Sequence, residues 1–104
     1  MPQFDVYKNP NRATAREAPY LLDVQSDLLE PLSTRVVVPL IATKRMKRTL
    51  SNLNPLFEIE GHQVILSTAE LAAIPSSHLG PAIANLAQAR SAIVSALDFL
   101  FTGI

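Results

Sequence analysis

The 104-residue chain has no cysteine, and this excludes disulfides, thiolate metal sites and a cysteine nucleophile. Its three glycines form neither a phosphate-binding loop nor a G-x-S-x-G elbow. His62 and His78 are the only histidines, and their spacing fits no metal-ligand pattern. No metal and no cofactor are therefore expected. Nine basic and nine acidic residues leave no net charge, so no global field draws in nucleic acid or anionic lipid. No apolar stretch nears the ~18 residues of a membrane span, and no early run resembles a signal-peptide core. The expectation is a soluble cytoplasmic protein with no direct nucleic-acid or membrane partner. With 48% hydrophobic and 17% charged residues, residues 1–104 read as a single globular domain.

The first three quarters of the chain carry β patterning. Gln3 to Tyr7 alternates, with Phe4 and Val6 on one face and Asp5 and Tyr7 on the other. Lys8 to Pro19 reads as a mobile loop. Tyr20 to Ser26 forms a second strand, and Leu28-Leu29 lies in the connection after it, closed by Pro31. Arg35 to Ala42 is the strongest strand, with Pro39 marking a bulge or an edge. Thr43 to Asn54 is a polar connection carrying Lys44, Arg45, Lys47 and Arg48. Leu56 to Glu60 and Gln63 to Ser67 alternate around a hairpin turn at Gly61-His62, and Leu71 to Ile74 is a short last strand. Short turns between sequential strands predict an antiparallel sheet with one face under a helix.

That helix is predicted from Gly80 to Ile104. Pro81 suits its first turn, and Ile83, Leu86, Ile93, Val94, Leu97, Leu100 and Phe101 recur at helical spacing. Gly103 suits the left-handed position past a helix end, and Ile104 would then fold back on Phe99 in a Schellman cap. The alternative is that the apolar tip is offered to a partner. Asp98 points the same way: an acid in the last turn opposes the helix dipole, at roughly 0.3–1 kcal/mol when exposed. Leu100, Phe101 and Ile104 are expected at a dimer interface.

No catalytic constellation is evident. His62 and His78 read as solvated, and Ser76-Ser77-His78 lacks the geometry of a nucleophile with its base. The basic cluster from Lys44 to Arg48 lacks interleaved aromatics and reads as a solvated loop.

Taken in order, Gln3-Phe-Asp-Val-Tyr7, Asp23-Val-Gln-Ser-Asp27 with two aliphatics after it, Val37-Val-Pro-Leu40, Ile74-Pro75, Leu79-Gly80 and Phe101-Thr-Gly-Ile104 resemble the CcdB family of bacterial toxins. The resemblance implies a mainly β, SH3-like antiparallel barrel with a small accessory sheet and a C-terminal α-helix, assembled as a homodimer. It implies a non-catalytic toxin that binds the DNA gyrase A subunit, traps the DNA-cleaved complex and is neutralised by a cognate CcdA-like antitoxin. The implied gyrase-binding residues are Asp98, Phe101, Thr102, Gly103 and Ile104, with Leu28 and Leu29. For the antitoxin's acidic segment, Arg35 or the Lys44–Arg48 loop is the expected charge partner. Thr102 stands where toxic members carry tryptophan, so the alternative is a CcdB-fold dimer that binds an antitoxin but has lost or redirected gyrase poisoning. A third reading comes from related toxins of the same barrel that cut RNA, a chemistry for which no acid–base pair is legible here.

Overall fold

The computed structural model describes residues 2–45 and 49–103. Seven strands are formed: β1 (Asp5–Lys8), β2 (Tyr20–Asp23), β3 (Thr34–Ala42), β4 (Leu56–Ile59), β5 (His62–Leu66), β6 (Ala72–Pro75) and β7 (Ala84–Asn85). One helix, α1 (Arg90–Thr102), follows them. The strands make a single, nearly closed antiparallel sheet in the order β4-β5-β3-β2-β1-β7, with β6 also on β3. This is the mainly β, barrel-like architecture with a C-terminal helix expected from the sequence. The β4–β5 hairpin joins the rest of this sheet through β3.

β3 holds the two parts together by changing partners along one edge. Thr34 to Val37 pair with β6, whereas Leu40 to Ala42 pair with β5. Pro39 sits where the partner changes. Its carbonyl accepts from the Ser67 N–H at 2.9 Å, so its own missing N–H falls on the edge where the ladder is already broken.

Both faces of the central strands are buried, whereas the sequence pattern assigned a core to one face. Phe4, Val6, Tyr20, Leu22, Val38, Leu40, Val64 and Leu66 pack with Ile93 and Ala96 of α1. On the opposite face Tyr7, Leu21, Val37 and Leu79 form a smaller cluster against Ile74. The segment from β6 to Leu79 folds across that side and gives the sheet a second cover.

Four local expectations are corrected. The helix starts at Arg90, not at Pro81. Before it, the Ile83 N–H donates to the Val6 carbonyl and the Leu86 N–H to that of Phe4, each at 2.8 Å. The open edge of β1 claims these backbone groups, and that long-range pairing overrides the local helix propensity of the alanines. The β4–β5 turn is Glu60-Gly61, both at positive φ (52° and 82°) as a tight hairpin turn requires, so His62 belongs to β5. The second strand ends at Asp23 instead of Ser26. The Lys8–Pro19 connection is tied down: the Asn9 side chain donates to the Ala18 carbonyl at 2.8 Å, and the Ala42 N–H donates to that of Glu17 at 2.9 Å.

Candidate functional site: the C-terminal tip of the helix

α1 is anchored by Ile93 and Ala96, both fully buried, with Val94 and Leu97 packed beside them. The anchoring fades toward the C-terminus. Leu100 is half-buried within the protomer. Phe101 is 71% exposed, the most solvent-facing aromatic side chain among the described residues.

Gly103 adopts the left-handed conformation, φ 74°, and its N–H donates to the Phe99 carbonyl at 2.9 Å. That bond, from the first residue past the helix to the fourth-last helical carbonyl, is the one an αL cap makes. The Ile104 part of the expected cap, and its roles at the target and dimer surfaces, lie outside the described residues. The space around Gly103 is open. Its glycine is required by backbone conformation alone.

Thr102 does not present its hydroxyl outward as a free donor. The Oγ1 donates to the Asp98 carbonyl at 2.7 Å, the back-bonding common to threonine within helices. The Asp98 side chain is exposed one turn earlier. Behind the tip a groove of about 500 Å³ runs between α1 (Ala92, Ser95, Phe99) and the approach to β4 (Ser51, Asn52, Pro55). Leu56, on the same approach, is 61% exposed.

Leu28 and Leu29 are 90% and 47% exposed in a short 3-10 turn capped by the Ser26 hydroxyl. The protomer fixes this turn at the other end of α1. Asp27 accepts from the Gln3 N–H at 2.7 Å, and the Gln3 side chain accepts from Arg90 at 3.3 Å. Arg90, the first residue of α1, also lies 5.6 Å above the buried Phe4 ring. Phe4 itself is held at φ 72°, costly for a side chain of its size, by backbone bonds to Asp23 and Leu86. Over the thirteen residues of α1, roughly 18 Å of helix separates Arg90 from the tip. The two parts of the expected target surface are therefore not joined within one protomer.

Arg35 is not available to an antitoxin. It is 1% exposed, and its guanidinium donates to both carboxylate oxygens of the fully buried Asp23, at 2.8 and 3.0 Å. A further bond reaches the Gln25 carbonyl at 3.2 Å, and the Gln25 side chain caps the Val36 N–H at 3.0 Å. The hydrogen bonds to Asp23, opposed by burial, hold Arg35 above its ordinary pKa and so permanently charged. Sequence reasoning missed this network. Its signal was the polar residues Asp23 and Gln25 alternating with aliphatics at and just past the end of β2, with Arg35 near the start of β3. Nearby, burial above all, then the charges of Asp5 and Asp23, push the Tyr7 phenol up to about 12.

Of the basic loop, Lys44 is described and exposed, while Met46 to Arg48 lie outside the described residues. The Ser76 hydroxyl donates to the Ser33 carbonyl and not toward His78. Among the described residues no group of three or more His, Asp and Glu is placed to hold a metal ion, and no helix is long and apolar enough to cross a membrane.

A nearly closed antiparallel barrel with one C-terminal helix is a fold shared with bacterial toxins of known structure. The chain is similar to the Mycobacterium tuberculosis toxin MazF-mt6, with a TM-score of 0.70 and 19% identity over 96% of each chain. It is similar also to an Mtb toxin, with a TM-score of 0.66 and 21% identity over 81% of this chain and 92% of that one. At these identities the likeness is one of fold. Residues 3–103 match the family described as CcdB protein. The chain belongs to the CcdB family, toxins of toxin–antitoxin modules, and an antitoxin is the partner that membership implies.

Proposed function

We propose that the protein acts on DNA gyrase, binding the A subunit through the tip of α1 and trapping the DNA-cleaved complex, as a homodimer held in check by its antitoxin. The action is by binding and not by catalysis. The observation that carries this reading is the tip itself. Phe101 stands 71% exposed on a helix whose end is fixed by the left-handed Gly103, so an aromatic ring is presented on a rigid support and left open by the described residues. Aromatic anchors on preorganised elements dominate protein interfaces. Asp98, on the same exposed side, supplies a carboxylate for a cationic group of the partner.

Since Leu28-Leu29 and the tip lie at opposite ends of α1 in one protomer, one target surface that uses both must draw them from two protomers. Dimerisation is thus part of the proposal. Sedimentation giving a monomer at micromolar concentration would remove it.

A second reading is favoured by one specific observation: the Thr102 hydroxyl is already engaged by Asp98, leaving neither a π face nor a free donor where the family's tryptophan stands. On that reading the dimer keeps its antitoxin and has lost or redirected gyrase poisoning. A cleavage-complex assay with purified gyrase separates the two. Deleting Gly103-Ile104 should abolish poisoning while leaving the fold intact. No stabilised cleavage by the intact chain or by Thr102→Trp would favour the redirected reading, and an RNA-cleavage assay tests the remaining class.

A further inference from the structure

A second constellation lies away from the helix tip. Between the Lys8–Pro19 connection and the β4–β5 hairpin opens a cavity of about 440 Å³ with an apolar floor of Pro19, Ala42 and Val64. Tyr20, 5% exposed, reaches it from β2. Its hydroxyl lies 3.3 Å from Glu60 Oε1 and 3.3 Å from His62 Nδ1. A carboxylate only accepts, so the phenol donates to Glu60 and its oxygen is left to accept from Nδ1–H of His62. Burial, and then the Glu60 charge, raise the Tyr20 pKa, so the phenol keeps the proton this relay needs. The relay fixes which imidazole nitrogen is engaged. Nε2 is the remaining polar atom of His62, and among the described residues it has no hydrogen-bond partner.

Arg16 and Lys44 line the same cavity, and among the described residues neither side chain is in an ion pair. The Ala42 N–H bond to the Glu17 carbonyl ties together the two segments that carry them. Two uncompensated cations and one directed imidazole, with Glu60 turned to the phenol, suit a dianion better than a monoanion. A carboxylate would leave one cation unmatched. A phosphate offers two charges and enough oxygens for all three groups.

We propose that this cavity binds a phosphate dianion, free or as the phosphomonoester of a small molecule, through Arg16, Lys44 and Nε2–H of His62. The Tyr20–Glu60 relay accepts the Nδ1–H of the imidazolium that such binding requires, and the apolar floor receives the uncharged remainder of a ligand. The site is independent of the gyrase reading, since none of its residues belongs to α1.

The test follows both imidazoles of the full chain by NMR while inorganic phosphate and, separately, adenosine monophosphate are added. His78 lines a different cavity and serves as the internal reference. His62 should shift saturably in the millimolar range or tighter while His78 stays still. The double variant Arg16→Ala/Lys44→Ala, exposed at both positions and so harmless to the fold, should weaken binding by about tenfold or more. Tyr20→Phe should weaken it less and alter the His62 response. Tighter binding of the nucleotide assigns a phosphomonoester, and equal binding assigns free phosphate. The proposal is overturned if neither probe moves His62 selectively, if acetate moves it as far as phosphate does, or if the double variant binds like the wild type.

Discussion

Asp23 and Arg35 put two charges where aliphatic side chains normally sit, while Phe101 puts an aromatic ring where charges normally sit. The two regions answer to different partners. Inside, each charge is matched within the chain: the guanidinium meets both carboxylate oxygens, and Gln25 accepts from it and caps β3. Outside, no described residue covers the ring, and the helix beneath it is anchored earlier, at Ile93 and Ala96. A buried inversion completed within the chain serves the fold, and an exposed one left incomplete is suited to binding. The largest expected effects on stability therefore belong to the first region, and those on function without stability to the second.

The sharpest way to break the contrast is Arg35→Leu. It strands the Asp23 carboxylate at zero exposure, and removing one member of such a pair costs about 3–5 kcal/mol. Against a total stability of roughly 5–15 kcal/mol, that variant should be largely unfolded or shifted steeply in urea. The double change Asp23→Leu/Arg35→Leu should recover most of the loss, because no uncompensated charge remains. By comparison, Phe101→Ala should move the urea midpoint by no more than about 0.5 kcal/mol. Equal destabilisation by Arg35→Leu and Phe101→Ala would contradict the division of roles.

Alkaline titration probes the same buried region more gently. The folded state raises the Tyr7 phenol from 10.0 to about 12, through burial first and the neighbouring carboxylates of Asp5 and Asp23 second. The unfolded chain thus releases this proton at lower pH than the folded one. The stability contributed is complete below pH 10.0 and is lost as pH rises toward about 12. Tyr20 shifts in the same direction and adds to the slope. Urea midpoints across that window should fall for the wild type and fall less for Tyr7→Phe.

What was legible beforehand divides along similar lines. The strands could be read because alternation in Gln3–Tyr7, the aliphatic run of β3 and the glycine of the hairpin are local signals. The start of the helix could not. Ile83 and Leu86 have helical spacing, and only the position of the β1 edge, distant in sequence, shows that their backbone is bonded elsewhere. Arg35 was misread for a related reason: an arginine opening a strand looks like a surface charge until Asp23 and Gln25 are folded against it. The phosphate-binding cavity was hidden because its groups come from three segments, and His62 was placed one residue out of register, in the turn. The exposed tip was legible, since Gly103 and the phenylalanines are contiguous with the helix that presents them.

On the function side, Thr102→Trp sharpens the comparison without touching the core. The substitution gives up the hydroxyl bond to Asp98 and gains a π face beside Phe101. A cation–π contact is worth roughly 0.5–2 kcal/mol, so cleavage-complex formation with gyrase should strengthen by about tenfold, near 1.4 kcal/mol. The wild type should be a weak poison in the same assay. Thermal stability should be nearly unchanged, because Thr102 is exposed. A gain in stability with no gain in cleavage would place the residue in the fold and not in the binding surface.

The smallest expected effect separates two roles for Asp98. Its carboxylate lies in the last turn of α1, where negative charge works against the helix dipole, so Asp98→Ala should leave stability unchanged or raise it by up to about 1 kcal/mol. The Thr102 hydroxyl bond survives the substitution, because it is made to the Asp98 backbone carbonyl and not to the side chain. Any loss of gyrase poisoning can then be assigned to the carboxylate itself. At an exposed site that loss should be modest, under about 1 kcal/mol, and should shrink as salt is raised. Stability that rises while poisoning falls would mean that the acid is kept for a partner at the expense of the helix. If both rise together, Asp98 has no part in target binding and Phe101 must anchor the complex without it.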